Sequence, residues 1–572
     1  MMQRCRKHAL VRTMCFTLAI FLTQTAAAGS DSTLNDLNQQ VDDLYHKGDF
    51  KHAIDIAKQS LKLAQSMYAP DNVIIAGSMN NLALLYQSQG QYELAEPLYQ
   101  RSLEIWQKAR GPHDAKIAQC LNNLATLYQA RGRYSEAEPL FKQSLEIREK
   151  ELGPDHPDVA DSVSNLAGFY RSLGQYALAE PLYQRSLEIR EKALGPDHPD
   201  VAKSLNNLAL FYQAQGQYAQ AETLFKRALA IREKVLRPDH PDLAESLNNL
   251  AFLYRIQGQF GQAEFMFKHA LAIREKVLGP DDPGLANSLN NLAGLYRTQG
   301  QFAQAEPLFQ RSLAIREKAL GPDHADVARS LNNLGLLYQD EGHYEQAEPL
   351  YQHALAIWEK ALGPDHLDVA EGLNNLALLY RIQGQYQQAE SMYKRALAIR
   401  EKALGPNHAA VAASLNNLAS LYQAQGQLAQ AEPLFVRSLE IRTKVLGSNH
   451  IDVVNNFNSL AMVYQAQGKF AEAEPLYKRA LAIREEMLGP DHLDVAQSLN
   501  NLAGLYRAWG YYARAEPLYK RSLAIREKVL GPNHPDVAKS LNNLAGLYQD
   551  QGRNAQAKPL LKRAKAITEA AK

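Results

Sequence analysis

The sequence is poor in cysteine and carries no excess of charge of one sign. Three cysteines in 572 residues exclude a disulfide scaffold, and no Cys-x-x-Cys pair suggests a zinc ribbon. Lysine and arginine number 62 against 61 aspartates and glutamates, which argues against a nucleic-acid binder. The apolar fraction of 46% is too high for a disordered chain. We therefore expect a folded protein that is stabilised by packing.

The first 28 residues have the layout of a secretory signal peptide. An apolar run over 14–22 and small residues up to Ala28 follow four basic residues, Arg4, Arg6, Lys7 and Arg12. The run is shorter than the roughly 18 residues of a membrane-spanning helix. A signal anchor and a mitochondrial transit peptide are the alternatives. We expect a mature chain that is secreted into the periplasm or the extracellular space, is not inserted in a membrane, and keeps Cys120 as its one thiol.

The remaining sequence is a repeat of 42 residues. The string Leu-Asn-Asn-Leu-Ala-x-x-Tyr begins at Leu121, Leu205, Leu247, Leu289, Leu373, Leu415, Leu499 and Leu541. With position 1 at Ala76, Ala118 and Ala160, Tyr lies at position 11, Gly at position 15 and Ala at position 20 of twelve units. A divergent unit over 34–75 precedes them. Residues 29–572 are thus predicted to form an array of about 13 repeats, each contacting its neighbours.

Each unit is predicted to contain two helices. Positions 4, 7, 8 and 11 are apolar at helical spacing, as in Leu205, Leu208, Ala209 and Tyr212. Gly216 then suits a tight turn before a second amphipathic run, and a Gly-Pro-Asp-His-Pro-Asp linker follows that run. Proline two residues after the position-20 alanine, as at Pro139, should lie in the first turn of the second helix. The predicted fold is an all-α, right-handed superhelical solenoid of helix-turn-helix repeats.

The spacing Leu-x2-Leu-Ala-x2-Tyr followed by Ala-x3-Phe, from Leu205 to Phe225, is the tetratricopeptide (TPR) signature. The text from Leu-Asn-Asn-Leu-Ala through Ala-Glu-Pro-Leu to Arg-Glu-Lys-x-Leu-Gly-Pro-Asp-His closely resembles the repeats of kinesin light chains. This resemblance implies a concave groove that holds short extended peptides, some of them acidic. It does not imply motor-associated transport, because the heptad coiled coil of that family is absent from this sequence.

The face of the first helix opposite the apolar positions is the predicted ligand surface. It comprises positions 2, 6, 9 and 13 and is called the first-helix face below. Position 6 is asparagine in nearly every unit, and an amide can pair with any peptide backbone. The predicted peptide-binding asparagines are Asn165, Asn207, Asn249, Asn291, Asn333, Asn375 and Asn417. The alternative is that these amides bond to the next repeat.

Arginines at position 12 are predicted to favour acidic ligands. They include Arg255, Arg297 and Arg381, which alternate with glutamine in other units. Position 2 varies freely, which suits either tuned recognition or neutral drift among duplicated units. The Arg-Glu-Lys runs of the second helices, such as the one that starts at Arg190, are predicted to form a solvated face.

No motif predicts catalysis or a cofactor. Repeat-equivalent histidines such as His156 and His198 would lie about 8–10 Å apart, too far to share a metal ion, so a structural role in the linker is favoured. Cys120 is predicted to be a semi-buried small residue rather than a nucleophile. We find no nucleophile elbow, zinc-protease, phosphate-loop or dinucleotide motif.

The predicted function is a monomeric, non-catalytic scaffold that binds proteins or peptides in its groove and uses no metal or cofactor. A self-associating structural envelope protein is one alternative. An envelope enzyme or glycan binder is the other.

Overall fold

The computed structural model describes residues 31–46, 49–111, 114–280 and 282–570. The predicted signal peptide lies outside these residues. The described chain contains helices and no strands. They are α1 Asp31–His46, α2 Phe50–Met67, α3 Val73–Ser88, α4 Tyr92–Arg110, α5 Ala115–Ala130, α6 Tyr134–Leu152, α7 Pro157–Ser172, α8 Tyr176–Leu194, α9 Pro199–Ala214, α10 Tyr218–Val235, α11 Pro241–Ile256, α12 Phe260–Val277, α13 Pro283–Thr298, α14 Phe302–Leu320, α15 Ala325–Glu341, α16 Tyr344–Leu362, α17 Leu367–Ile382, α18 Tyr386–Leu404, α19 Ala409–Ala424, α20 Leu428–Leu446, α21 Ile451–Ala466, α22 Phe470–Leu488, α23 Leu493–Ala508, α24 Tyr512–Leu530, α25 Pro535–Asp550 and α26 Asn554–Ala570.

These helices pair as consecutive helical hairpins, so the predicted all-α solenoid fold is confirmed. Odd-numbered helices from α3 onward are the first helices of their repeats, and the even-numbered ones are the second. The chain divides into two compact units, Met1–Gly405 and Pro406–Lys572. Helices α1–α18 belong to the first unit and α19–α26 to the second. None of the described helices has the length and apolar character needed to cross a bilayer.

Local sequence explains where the helices begin and end. Gly195 follows α8 with a φ of 86°, a conformation that glycine adopts without strain. Pro199 then occupies the first position of α9, where a missing amide hydrogen removes no helical bond. Gly216, with a φ of 78°, makes the turn from α9 to α10. The predicted roles of these linker and turn residues are confirmed.

The placement of the repeated proline is different from the one predicted. α6 begins at Tyr134, five residues before Pro139, so the proline lies inside the helix and beyond its first turn. A proline there has no amide hydrogen to donate to the carbonyl four residues back, and that helical bond is lost. The same holds for Pro181 in α8. The second helices therefore keep their early start despite one missing bond each.

Within each unit, the core of a repeat lies between its two helices and the first helix of the next repeat. Val201, Ala202 and Leu205 of α9 are fully buried, and they form a cluster with Ala228 and Ile231 of α10. In the second unit, Ala503 and Leu505 of α23 pack in the same way with Ala515 of α24. Since each hairpin leaves one apolar side for its neighbour, stability depends on the stacking of repeats.

Candidate peptide-binding face

The first helices bury their predicted apolar positions. Leu205, Leu208, Ala209 and Tyr212 of α9 are all buried. The first-helix face therefore points away from the hairpin core, as the helical spacing predicts. In the first unit, neighbouring first helices also touch one another, as α9 touches α7 and α11. This contact places the repeated amides of adjacent repeats side by side.

The position-6 asparagines form hydrogen bonds between repeats. In the first unit, the Asn165 Nδ2 atom donates to the Asn122 Oδ1 atom at 2.8 Å, and Asn375 donates to Asn332 at the same distance. The same bond joins Asn123 to Asn80, Asn333 to Asn290 and, in the second unit, Asn543 to Asn500. In these five repeats the position-6 amide contacts the position-5 amide of the preceding repeat, as in the alternative that the sequence left open. The buried Asn249 Nδ2 atom, in contrast, has no partner among the described residues.

Burial divides the predicted asparagines into two groups. Asn165 and Asn249 are only 6% exposed. The others remain partly exposed, namely Asn207, Asn291, Asn333, Asn375 and Asn417. An asparagine amide offers two donors and one acceptor, so one bond to a neighbouring repeat does not exhaust it. Ligand binding by the partly exposed amides stays a prediction.

The position-5 asparagines also hold the stack together. Asn206 and Asn248, both buried, donate to the Oγ atoms of Ser246 and Ser288 at 3.2 Å. Those serines occupy position 3 of the following repeat. Two adjacent asparagines therefore bond in opposite directions along the array, and the pair fixes the spacing of neighbouring first helices.

The three predicted arginines occupy different environments. Arg297 is buried, and its Nε atom lies 3.4 Å from a carboxylate oxygen of Asp340 in the next repeat. The Arg255 guanidinium lies over the ring of Phe252, 4.5 Å from its centroid. Arg381 is partly exposed, while its Nε atom is buried and has no partner among the described residues. Because Asp340 compensates the charge of Arg297, that side chain is the least suited of the three to bind an acidic ligand.

The prediction of a solvated face is wrong for the arginine of the Arg-Glu-Lys run. The Arg190 side chain is 3% exposed. Its Nη1 atom donates to the Ser204 hydroxyl at 2.6 Å, and its Nη2 atom lies 2.5 Å from the Asp161 carboxylate. Lys192, two residues later, is exposed and pairs with Asp155 of the preceding repeat. The Arg190 guanidinium can be buried because the Ser204 hydroxyl and the Asp161 carboxylate satisfy it.

This arginine also binds position 2 of its own repeat. Arg316 donates to Asn287, Arg484 to Asn455 and Arg526 to Gln497, at 2.6–2.8 Å. Position 2 therefore varies among side chains that can accept a hydrogen bond at these sites. The sequence left open whether position 2 varies through tuned recognition or through neutral drift. At these sites the bond to the arginine also limits which side chains position 2 can have.

A second set of bonds between repeats was not foreseen from the sequence. The position-11 tyrosine hydroxyl donates to the position-21 glutamate of the preceding repeat at 2.7–3.4 Å. The pairs are Tyr170–Glu138, Tyr212–Glu180, Tyr254–Glu222, Tyr296–Glu264, Tyr338–Glu306, Tyr380–Glu348, Tyr506–Glu474 and Tyr548–Glu516. The recurrence of tyrosine at position 11 and of glutamate at position 21 was the sequence signal from which this bond could have been predicted.

The linker histidines cap the first helices, which agrees with the structural role predicted for them. In each case the Nδ1 atom accepts a hydrogen bond from the backbone N–H two residues later, at 3.0–3.2 Å. Asp282 occupies the equivalent place before α13 and accepts from the Gly284 N–H at 2.6 Å. Accepting at Nδ1 requires an unprotonated nitrogen there, so this cap uses the neutral form of the imidazole.

Cys120 is completely buried, more deeply than the semi-buried position predicted. Its Sγ atom lies 3.6 Å from the Ser102 hydroxyl, and burial raises the pKa of the thiol to about 12. A thiol in this environment is not ionised near neutral pH and is a poor nucleophile.

The chain belongs to the tetratricopeptide repeat family. The family model matches along nearly the whole described chain, at residues 74–150, 121–167, 158–210, 200–276, 266–318, 284–360, 326–402, 368–444, 410–486, 452–528 and 510–570. Repeats of this kind stack into arrays whose extended concave surfaces bind other proteins. TPR proteins are generally non-catalytic scaffolds. A comparison with curated proteins found no match to the chain.

Solved structures show the same type of repeat. A Podosopora anserina protein described as a kinesin light chain with nearly identical TPR-like repeats is 32% identical, over 36% of this chain and 98% of that chain, with a TM-score of 0.33. BtubC (BKLC) from P. vanneervenii is 25% identical over 46% of this chain and 92% of that chain, with a TM-score of 0.33. A Rap protein complexed with Competence and Sporulation Factor is 17% identical over 65% and 99% of the two chains, with a TM-score of 0.43. The predicted tetratricopeptide repeats are confirmed by the match to the family model.

Proposed function

We propose that this protein is a non-catalytic scaffold that binds extended peptide segments of partner proteins on its first-helix face. The observation that carries the proposal is the row of partly exposed position-6 amides at Asn291, Asn333 and Asn375 in three consecutive repeats. Neighbouring helices pack about 8–10 Å apart, and an extended peptide rises about 3.3 Å per residue. Successive amides along the row can therefore contact every third residue of a bound peptide. Amide contacts to a peptide backbone provide affinity with little dependence on the peptide sequence.

Exposed side chains near this row would supply selectivity. In the first unit, Asn287 at position 2 is exposed and Arg255 is partly exposed. In the second unit, Met462 at position 9 is 48% exposed and Lys539 at position 2 is also exposed. Both units thus offer a polar row flanked by side chains that differ from repeat to repeat. We further propose that acidic peptides are favoured, since Arg255 and Lys539 lie on or beside this face.

The test is binding to peptides of random sequence. Phage-displayed 12-residue peptides are selected on the immobilised mature chain, and enriched peptides are measured by fluorescence anisotropy. The triple variant Asn291/Asn333/Asn375→Ala should bind at least about ten-fold more weakly, because three lost hydrogen bonds together exceed about 1.4 kcal/mol.

A matched control lies on the second helices. Lys226, Lys268 and Lys394 are all exposed and pair with a glutamate four residues earlier on their own helix. Replacing these three by alanine should leave the dissociation constant unchanged. Equal binding by the asparagine triple variant, with an unchanged circular dichroism spectrum, would exclude the amide row as the binding site.

We also propose that the chain is exported and acts as a monomer. The basic, apolar and small-residue order of the first 28 residues supports export. Mass spectrometry of the protein from a secretion-competent host should give a mature chain that begins at Gly29. Light scattering coupled to gel filtration should give the mass of one chain, whereas a larger mass would favour a self-associating structural protein.

A further inference from the structure

Two capping histidines of the first unit contact repeats that are distant in the sequence. The Nε2 atom of His366 lies 2.7 Å from the backbone oxygen of Ala130, 236 residues earlier in the chain. At the same time its Nδ1 atom accepts from the Asp368 N–H at 3.1 Å. The imidazole therefore donates at Nε2 and accepts at Nδ1, which only the neutral ring with its proton on Nε2 can do.

His324 lies in the equivalent place one repeat earlier. A Cβ atom on Gly90 would come within 3.4 Å of the His324 Nε2 atom, and one on Gly132 would come within 4.0 Å of the His366 ring. Gly90 and Gly132 both have positive φ, at 69° and 72°, in the turns that join the two helices of their repeats. The two contacts are thus related by the 42-residue repeat. His324 with Gly90 and His366 with Ala130 are together called the histidine latch.

The two latch imidazoles are more buried than His198 and His240, two other caps of the first unit. The side chains of His324 and His366 are 6% and 8% exposed, whereas His198 and His240, which cap their helices in the same way in the same unit, are 40% and 35% exposed. Helices α2 and α14 also touch one another. Distant repeats of the first unit therefore meet, and the array there completes one superhelical turn onto itself.

We propose that the histidine latch is a pH-sensitive clasp that holds this superhelical turn closed when its imidazoles are neutral and releases it when they are protonated. An imidazolium carries hydrogens on both nitrogens. At His366 the added hydrogen would point at the Asp368 N–H, so the ring loses its helix cap. We expect the charged ring to turn toward the Asp368 carboxylate, 3.9 Å from Nδ1, and to leave Ala130. Buried histidines that must be neutral in the native state are groups whose protonation opens structure on acidification.

Charged groups of the first helices both favour and disfavour an imidazolium at His324 and His366. The Asp368 carboxylate lies 3.9 Å from the His366 Nδ1 atom and attracts an imidazolium. Asp326 lies at the same distance from His324. Arg329 contacts both carboxylates, at 2.7 Å and 3.9 Å, and compensates part of their charge. A protonated ring thus has a carboxylate partner that does not require the distant repeat.

The opposing turn presents little free charge to His366. Tyr134 is the titratable group there, and burial together with Asp368 raises the pKa of its hydroxyl well above the usual range. Arg131 and Arg133, the two arginines of this turn, both pair with Glu96 of the preceding repeat. The Ala130 carbonyl is therefore the contact that protonation of His366 removes.

The test measures the distance across the latch in the full mature chain. Cysteines for nitroxide labels replace Gln91 and Asp323, which are exposed beside the His324 contact, in a background where Cys120→Ser removes the native thiol. Electron–electron resonance should give a longer and broader distance distribution at pH 5 than at pH 7.5. A second pair at Gln175 and Gln217, in neighbouring repeats, should give the same distance at both pH values.

Asparagine variants separate the latch from the helix caps. Asn72 caps α3 through its side chain at 2.9 Å, so an asparagine keeps a cap and does not titrate. The double variant His324→Asn/His366→Asn should show the longer distance at both pH values. The control His198→Asn/His240→Asn should respond to pH like the unmodified chain.

Two results would overturn the proposal. One is an unchanged distance between the labels at 91 and 323 on acidification of the unmodified chain. The other is a short distance in the His324→Asn/His366→Asn variant at pH 7.5, because the turn would then close without the latch. Neither result depends on whether the first-helix face binds peptides.

Discussion

Gln213 and Phe225 are both buried in one helical hairpin, and neither polar atom of the Gln213 side-chain amide has a partner among the described residues. In the repeat of α15 and α16 the equivalent residues are Gln339 and Tyr351, and the tyrosine hydroxyl donates to the glutamine Oε1 atom at 3.2 Å. The same bond, at 2.9 Å, joins Tyr99 to Gln87. A single hydroxyl thus decides whether a buried amide is satisfied.

We predict that Phe225→Tyr stabilises its repeat. The new hydroxyl would donate to the Gln213 amide, as it does in the repeats that have tyrosine, and such a bond contributes about 1 kcal/mol. Hydrogen exchange of the amides in α9 and α10 should become about five-fold slower. The converse change Tyr351→Phe should speed exchange in α15 and α16. Faster exchange in the Phe225→Tyr variant would show that the hydroxyl does not fit.

Arg190 and Lys192 provide a second comparison, on one helix and two residues apart. Arg190→Ala would remove the hydrogen bonds to Ser204 and Asp161, while Lys203 still pairs with Asp161. A hydrogen bond of a charged group contributes about 1.5–3 kcal/mol. Lys192→Ala removes an exposed pair, which contributes about 0–1 kcal/mol. Thermal unfolding followed by circular dichroism should show a clear loss for the first variant and little change for the second. Similar effects of the two variants would contradict the different burial of their side chains.

Much of this architecture could be predicted from the sequence because its determinants are local. Gly195, Pro199 and Gly216 fix turns and helix ends through their own backbone preferences. Helical spacing placed Leu205 and Tyr212 in the core. The 42-residue period then implied stacking, since each hairpin has an apolar side to cover.

The remaining features depend on contacts that a helical period does not encode. Spacing placed Asn165 on the correct face but did not reveal that its partner is Asn122. Charge alternation suggested that Arg190 is solvated, whereas its length and the position of Ser204 bury it. The contact of His366 with Ala130 joins repeats that are distant in sequence, so only the curvature of the array could reveal it.

The cap of α13 should have a pH dependence of its own. Burial is the main cause that raises the pKa of Asp282 in the fold. A carboxyl with a folded pKa above its unfolded value favours the folded state when protonated, so this contribution is lost as pH rises through its titration range. Asp282→Asn keeps the cap without the charge. The variant should slow hydrogen exchange in α13 at pH 7 and have little effect at pH 3, and an equal effect at both pH values would exclude the carboxyl as the cause.

Glu516 should show the opposite pH dependence. Hydrogen bonds from Arg553 first, and also from Lys520 and Tyr548, lower its pKa to about 2. Because this folded pKa lies below the unfolded one, the stabilisation is present above about pH 4.5 and is lost as pH falls toward 2. Glu516→Gln should therefore speed hydrogen exchange in α25 and α26 at pH 7, and the difference from the unmodified chain should vanish near pH 2.

Glu472, an exposed residue of α22, provides the control for this experiment. Glu472→Gln should leave exchange in α25 and α26 unchanged at both pH values. The Tyr548 hydroxyl of the next repeat donates a hydrogen bond to Glu516. Tyr548→Phe should therefore reproduce part of the Glu516→Gln effect at pH 7. If Tyr548→Phe has no effect while Glu516→Gln does, the contacts of Glu516 with Lys520 and Arg553 provide the stabilisation. The tyrosine–glutamate bond would then not contribute to the coupling of the last two repeats.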